Sequence, residues 1–234
     1  MIAPTFFISQ QERNTISSIL EKVEKKKKNS KVRIVSFSSL LELLNHDEKI
    51  LVRKFRDVNP LIYGFKGRYL GIQGVPKNLV SIHNQKYKTK DTMAKIEIQY
   101  LPKPVFNAYK KLNSALYKDT KKKLLVDSGY RSPAYQVITF LWYLKFHKFN
   151  FQKTIKRVAI SGYSEHGFPE GQAVDFITTN GIPNDKKPLE FAKTTEYRWL
   201  LENANGFRFY QSYPRNNKLG VMFEPWHWQF RKQL

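Results

Sequence analysis

Four side chains in this sequence have the types and spacing to do chemistry together. His166 and Asp175 lie nine positions apart, and Glu224 and His227 lie three apart toward the C-terminal end. Two imidazoles and one carboxylate supply the three protein ligands of a catalytic zinc, which keeps one position for water. A second carboxylate can then collect the proton of a water whose pKa the metal has lowered. On that logic His166, Asp175 and His227 are the candidate ligands and Glu224 is the candidate base, the parts needed for metal-assisted hydrolysis. Taken singly, each has a plain structural alternative. A histidine beside a glycine turn is often a surface residue, Glu-x-x-His is a common spacing, and Trp226 and Trp228 read as core aromatics of a last strand. His46, His83 and His147 have no companions and read as ordinary surface or packing residues. The chain has no cysteine, so any metal must sit on His, Asp and Glu.

These groups need elements to hold them. Ala173 to Phe176 reads as a strand carrying Asp175, and His166 precedes it in a loop where Gly162, Gly167, Pro169 and Gly171 break any helix. Glu224 is held extended because it precedes Pro225. Phe207–Tyr210 and Val221–Phe223 read as a final hairpin joined by a polar loop over 211–220. A helix over 188–205 stops at Gly206. Lys123–Val126 reads as a strand, Gly129 as the residue permitting a tight turn at its exit, and 133–147 as an apolar helix. Arg131 sits between the two, where a guanidinium can grip a carboxylate in a fork; a structural ion pair is the alternative. Upstream come a helix over 104–120 and a region of loops and short strands over 61–104, including Leu79–Ile82 and Lys95–Tyr100.

The first sixty residues show helical periodicity and no chemistry. Ile16, Ile19, Leu20 and Val23 mark one face of a helix over 9–28 that Ser9 can cap, with Lys25–Lys28 as its solvated end. A strand over Val32–Val35 and helices over 38–45 and 47–57 follow. The expected organisation is an N-terminal helical extension, 1–60, and a catalytic domain, 61–234.

Composition narrows the partners. The net charge is +22, and residues 61–125 carry 14 Lys/Arg against 3 Asp/Glu, a difference of +11. Such charge attracts polyanions, and anionic cell-wall polymers fit as well as nucleic acid. No finger, RNP-like or helix-turn-helix motif supports specific nucleic-acid recognition. No run of apolar residues is long enough for a membrane span. The start, Met1 to Ser9, lacks the basic and long apolar regions of a signal peptide, which leaves an envelope, secreted or cytoplasmic location open.

Read together, the motifs resemble a known family. Ser128-Gly129-Tyr130-Arg131-Ser132 with Gln136, then Ser164-x-His166 with Gly171-x-Ala173-x-Asp175, then Glu224-Pro225-Trp226-His227 are similar to the motifs of the VanY-type D-alanyl-D-alanine carboxypeptidases, zinc peptidases of bacterial peptidoglycan. Trp199 to Ala204, Gly206-Phe207 and Ser212-Tyr213-Pro214 are similar to the segment before that family's last motif. The resemblance spans residues 74–234. It implies an α+β fold of the hedgehog/DD-peptidase kind, a small antiparallel sheet flanked by helices. It implies one zinc per chain on His166, Asp175 and His227, with Glu224 as general base. Arg131 would meet the terminal carboxylate of the substrate or the developing oxyanion, and Ser164 and Gln136 would contact substrate. The implied reaction removes the terminal D-alanine from peptidoglycan stem peptides in the bacterial envelope, periplasm or outside the cell. One departure stands out: two extra residues separate His166 from Gly171, lengthening the loop between two ligands at little entropic cost. Within that loop Glu170 is expected to face solvent.

Two rivals accompany this reading. One is an L,D-carboxypeptidase or an endopeptidase using the same site on peptidoglycan. The other, of a different class, is a non-catalytic basic module that docks to wall polymers or nucleic acid; an intact Glu224 argues against it.

Overall fold

The structure is a computed structural model that describes residues 4–27, 30–182, 188–219 and 221–232. Met1–Ala3 and Lys28, part of the expected N-terminal patch and helix end, lie outside the described residues. In chain order the elements are α1 (Gln10–Lys27), α2 (Phe37–Glu42), α3 (His46–Asp57), β1 (Leu79–Ile82), β2 (Lys86–Lys88), β3 (Met93–Lys95), β4 (Gln99–Pro102), α4 (Lys103–Thr120) and β5 (Leu124–Ser128). They continue with α5 (Pro133–Phe146), α6 (Phe151–Ile155), β6 (Ala173–Thr178), α7 (Pro188–Ala192), α8 (Thr195–Asn203), β7 (Phe209–Gln211) and β8 (His227–Phe230). Helices joined with small antiparallel sheets make an α+β fold, as the resemblance implies. The chain divides into two compact units.

The helical unit takes residues 1–75, 131–167 and 218–222. Its first helix starts on a capping box: the Ser9 hydroxyl accepts from the Glu12 N–H and the Glu12 carboxylate accepts from the Ser9 N–H, at 3.2 and 2.8 Å. Ile16, Ile19 and Val23 turn one face of α1 inward against α3 and α5. Asn45 caps α3 with the same device, using Glu48 as the returning carboxylate. Phe55, Phe140, Leu141 and Phe151 complete this core. Residues 32–35 do not form the expected strand; Ser30–Ile34 is a short 3-10 turn. Its backbone serves α5 instead, because the Arg33 carbonyl accepts from the Ser132 N–H and the Val35 carbonyl accepts from the Ser132 hydroxyl.

The sheet unit takes residues 76–130, 168–217 and 223–234. Its main sheet has the order β5-β6-β8-β7, antiparallel throughout. Val174 and Phe176 enter the core with Trp228 and Phe230, where α4 contributes Leu112 and Leu116 and α8 contributes Trp199 and Leu200. Asp175, between two core residues of β6, therefore points to the opposite face. Four local expectations fail in this unit. The stretch 95–100 is not one strand, because β3 pairs with β2 while β4 pairs with β1. The helix over 188–205 is broken by Thr194, whose hydroxyl accepts from the Tyr197 N–H and so starts α8 anew. The partner of β7 is β8 and not Val221–Phe223, since a turn at Pro225–Trp226 brings the last residues back into the sheet. No tight turn forms at Gly129; a Cβ there would run into the Tyr100 carbonyl, and the neighbouring Tyr130 N–H donates to that same oxygen at 2.6 Å.

Candidate metal centre

Strand register sets the first pair. Asp175 of β6 lies directly opposite His227 of β8, so the two side chains leave the sheet on one face. The His227 Nδ1 is 2.8 Å from Asp175 Oδ1, and with that nitrogen protonated the imidazole donates. Glu224 reaches the same nitrogen, at 3.8 Å from its Oε2. The turn that places it is closed by the His227 N–H donating to the Glu224 carbonyl, while the Glu224 N–H donates to the Tyr213 carbonyl. The Trp228 indole donates to the Pro225 carbonyl and the Phe176 N–H to the Trp226 carbonyl, pinning the segment at both ends. The side chains of Asp175 and Glu224 keep 17% and 13% of their exposure. These carboxylates are close to water yet partly withdrawn from it, which strengthens their hold on a cation.

His166 comes from the loop before β6. That loop winds into two 3-10 turns, Glu165–Gly167 and Pro169–Gly171, which take up the extra residues. The Ser164 hydroxyl accepts from the His166 N–H and its carbonyl accepts from the Gly167 N–H. The Arg131 N–H donates to the His166 carbonyl at 3.0 Å. Gly171 is required by close approach: a Cβ would meet the Phe168 ring and the Gln229 amide, each at 3.0 Å. Glu170 is exposed. The ligand atoms of His166, Asp175 and His227 all lie within 4.8 Å of one another, with both imidazoles buried. Two nitrogens and a carboxylate oxygen form a donor set suited to zinc among the divalent metals.

The remaining candidates go elsewhere. Gln136 is buried in α5 and donates its amide to the Ala159 carbonyl at 2.6 Å. Ser164 spends its polar atoms on the turn that carries His166. Arg131 lines a cleft of the helical unit with Arg33 and Tyr135. A residue that spacing did not single out for the centre is Tyr213, whose ring packs on the His227 imidazole at 4.7 Å. Its only sequence signal is the Ser-Tyr-Pro stretch of the family resemblance, which marks the segment and not the role.

Comparison with known proteins adds three findings. The profile of the family described as VanY, D-alanyl-D-alanine carboxypeptidase, matches residues 98–233. YodJ of Bacillus subtilis (strain 168), a protein assigned as a carboxypeptidase, is 30% identical over 139 residues. That match covers 58% of this chain and 48% of YodJ, so the chain spans about half the length of this curated relative. The solved LdcB LD-carboxypeptidase, described in terms of peptidoglycan recognition, is similar with a TM-score of 0.52 at 26% identity, covering 66% of this chain and 68% of that one.

Proposed function

Because this chain belongs to the VanY family of D-alanyl-D-alanine carboxypeptidases, we propose that it is a zinc metallopeptidase removing the terminal D-alanine from peptidoglycan stem peptides. The observation that carries this reading is Glu224 standing 3.8 Å from His227, beside a group of three potential ligands. His166, Asp175 and His227 would hold one zinc per chain. Bound there, zinc acidifies a water and polarises a carbonyl.

The chain's own residues then have distinct tasks. Glu224 takes the proton from the attacking water and delivers it to the amine of the departing D-alanine. Asp175 fixes the His227 ring through Nδ1, and the Tyr213 ring keeps that imidazole from turning. Arg131 meets a carboxylate of the substrate. Ser164 and Gln136 are the further candidates for substrate contact, Ser164 through Oγ at the turn that carries His166 and Gln136 from its buried place in α5. Residues 61–234 carry the chemistry in this reading, and residues 1–60 serve it as a helical extension.

The likeness to LdcB favours a second reading on the same site, cleavage after an L-centre. Zinc content and D-alanine release from a pentapeptide and a tetrapeptide, before and after chelation, test both. One zinc per chain with chelator-sensitive release from the pentapeptide is expected. Preference for the tetrapeptide would select the second reading, and release from neither would overturn both.

The substrate places the work outside the cytoplasm, and no helix among the described residues is long and apolar enough to cross a membrane. The net charge of +22 supports docking on anionic wall polymers. Lys103, Lys110, Lys111 and Lys118 of α4 and Lys121 to Lys123 after it are all exposed and offer a surface for that contact.

A further inference from the structure

β5 lies at one edge of the main sheet, and its exit is irregular. Val126 sits opposite Phe176 and Ser128 opposite Asp175, so Asp127 is one residue more than β6 can pair. In a regular strand residues 126 and 128 would share a face. Val126 belongs to the core with Phe176, whereas Asp175 points to the other side. The one-residue bulge therefore turns Ser128 away from the core and onto the face of Asp175. Residues directly opposite in an antiparallel pair have Cβ atoms about 4.5–5.5 Å apart. Ser128, Asp175 and His227 thus make one row across β5, β6 and β8, all within the sheet unit.

The bulge is held firmly. The Gln85 side-chain amide donates to the Val126 carbonyl and accepts from the Val126 N–H, each at 2.9 Å. The Gly129 N–H donates to Gln99 Oε1 at 3.2 Å, and the Tyr130 N–H donates to the Tyr100 carbonyl at 2.6 Å. Both glutamines are buried. With its backbone bracketed in this way, Ser128 keeps one soft coordinate, rotation about χ1.

Its hydroxyl oxygen is buried and has no hydrogen-bond partner among the described residues. Buried hydroxyls are seldom left so, and one that water does not reach needs a neighbouring side chain. The side chain directly opposite is the carboxylate of Asp175. A carboxylate accepts about four bonds on its two oxygens, so it can serve His227, a metal and a hydroxyl together.

We propose that Ser128 is a positioning residue for Asp175: its hydroxyl turns to donate to that carboxylate and fixes the oxygen that a metal would take. The proposal rests on the metallopeptidase reading above and deepens it. In this role Ser128 touches neither substrate nor metal.

The test is zinc affinity, read by competition with a chromophoric chelator, on the full chain as wild type, Ser128→Ala and Ser128→Thr. Loss of the outer partner of a ligand weakens metal binding by about tenfold to a hundredfold, and a loss in that range is expected for Ser128→Ala. Ser128→Thr keeps the hydroxyl on a side chain suited to a strand and should bind zinc like the wild type. Thermal unfolding of the metal-free proteins should stay cooperative in both variants, which separates weak binding from a folding defect. Zinc binding by Ser128→Ala equal to that of the wild type would overturn the proposal and leave the peptidase reading standing. So would a loss in Ser128→Thr as large as that in Ser128→Ala, since packing and not the hydroxyl would then set the affinity. A wild type that binds no zinc would sink the metallopeptidase reading and the proposal with it.

Discussion

Glu224 and Glu48 show how differently two partly hidden carboxylates can be used. Glu224 has an imidazole 3.8 Å away and a side chain still open to water. Replacing it with Gln should leave zinc bound and lower turnover by about a hundredfold to ten-thousandfold, the range of a lost general base; metal analysis and D-alanine release on one preparation check this. Glu48 is buried at the start of α3. Burial alone would raise its pKa, but the Lys22 ammonium at 2.6 Å, the Ser18 hydroxyl and the Asn45 N–H together hold it below the ordinary carboxylate value. A depressed folded-state pKa means that the stabilisation is complete above the unfolded value of 4.5 and is lost as pH falls through the lower folded value. Glu48→Gln should therefore cost about 1–3 kcal/mol near neutral pH and progressively less under acid, as denaturant titrations at several pH values would read. At this scale the grouping of His166, Asp175 and His227 with Glu224 beside them was legible because these residues advertise themselves by type. The bonds of Gln136 and the ring contact of Tyr213 were not, since an amide or a phenol has no sequence mark for where it will point.

At the scale of elements, the centre depends on backbone geometry more than on the ligands' own neighbours in sequence. Asp175 and His227 meet because β6 and β8 pair in one register, and a slip of one residue would send either to the core face. The connection between Ser128 and Arg131 is equally exacting. Gly129→Ala would drive a Cβ into the Tyr100 carbonyl, a backbone atom that cannot swing away. The expected loss is about 3 kcal/mol, seen as a lower denaturation midpoint. If Gly129→Ala were neutral, the packing of that strand exit on Tyr100 would be wrong. The glycine itself was legible; its reason was not, because a tight turn and a close backbone approach look identical in sequence. The same holds for the final strands. Phe209 and Trp228 were each placed in a strand, but pairing is a choice among partners that local pattern leaves open. The helices over 10–27 and 103–120 were read almost to the residue, since periodicity and caps are local signals.

For the molecule as a whole, charge is the property with reach. A surplus of 22 positive charges is spread over a chain whose proposed substrate bears carboxylates and lies among anionic polymers. Retention on wall material rich in phosphate should fall steeply between about 50 and 500 mM salt, because screening shortens the range of exposed charges. D-Alanine release from a small soluble peptide should change much less over the same range. Retention that ignores salt would assign the binding to something other than the basic surface. The total charge was plain from composition, and so was its peak over 61–125. Which lysines share a face needed the helix: α4 gathers several on its exposed side while Val105, Tyr109, Leu112 and Leu116 go inward.

The position of β8 between β6 and β7 has a kinetic side. Among the described strands β7 pairs only with β8, and β8 meets β6 across a separation of 52 residues at the Asp175–His227 pair. Such non-local pairings are slow, because the loop entropy must be surrendered before any contact rewards it. The β5–β6 pair is no more local, since Leu124 meets Thr178, whereas β7 and β8 pair at Phe209 and Phe230 over a much shorter stretch and can form first; the sheet closes only when β8 joins β6, and His227 arrives with it. The strand that finishes the sheet is thus the strand that completes the ligand set. Competence to bind a metal becomes a late event in folding, and a partly folded chain carries no assembled centre.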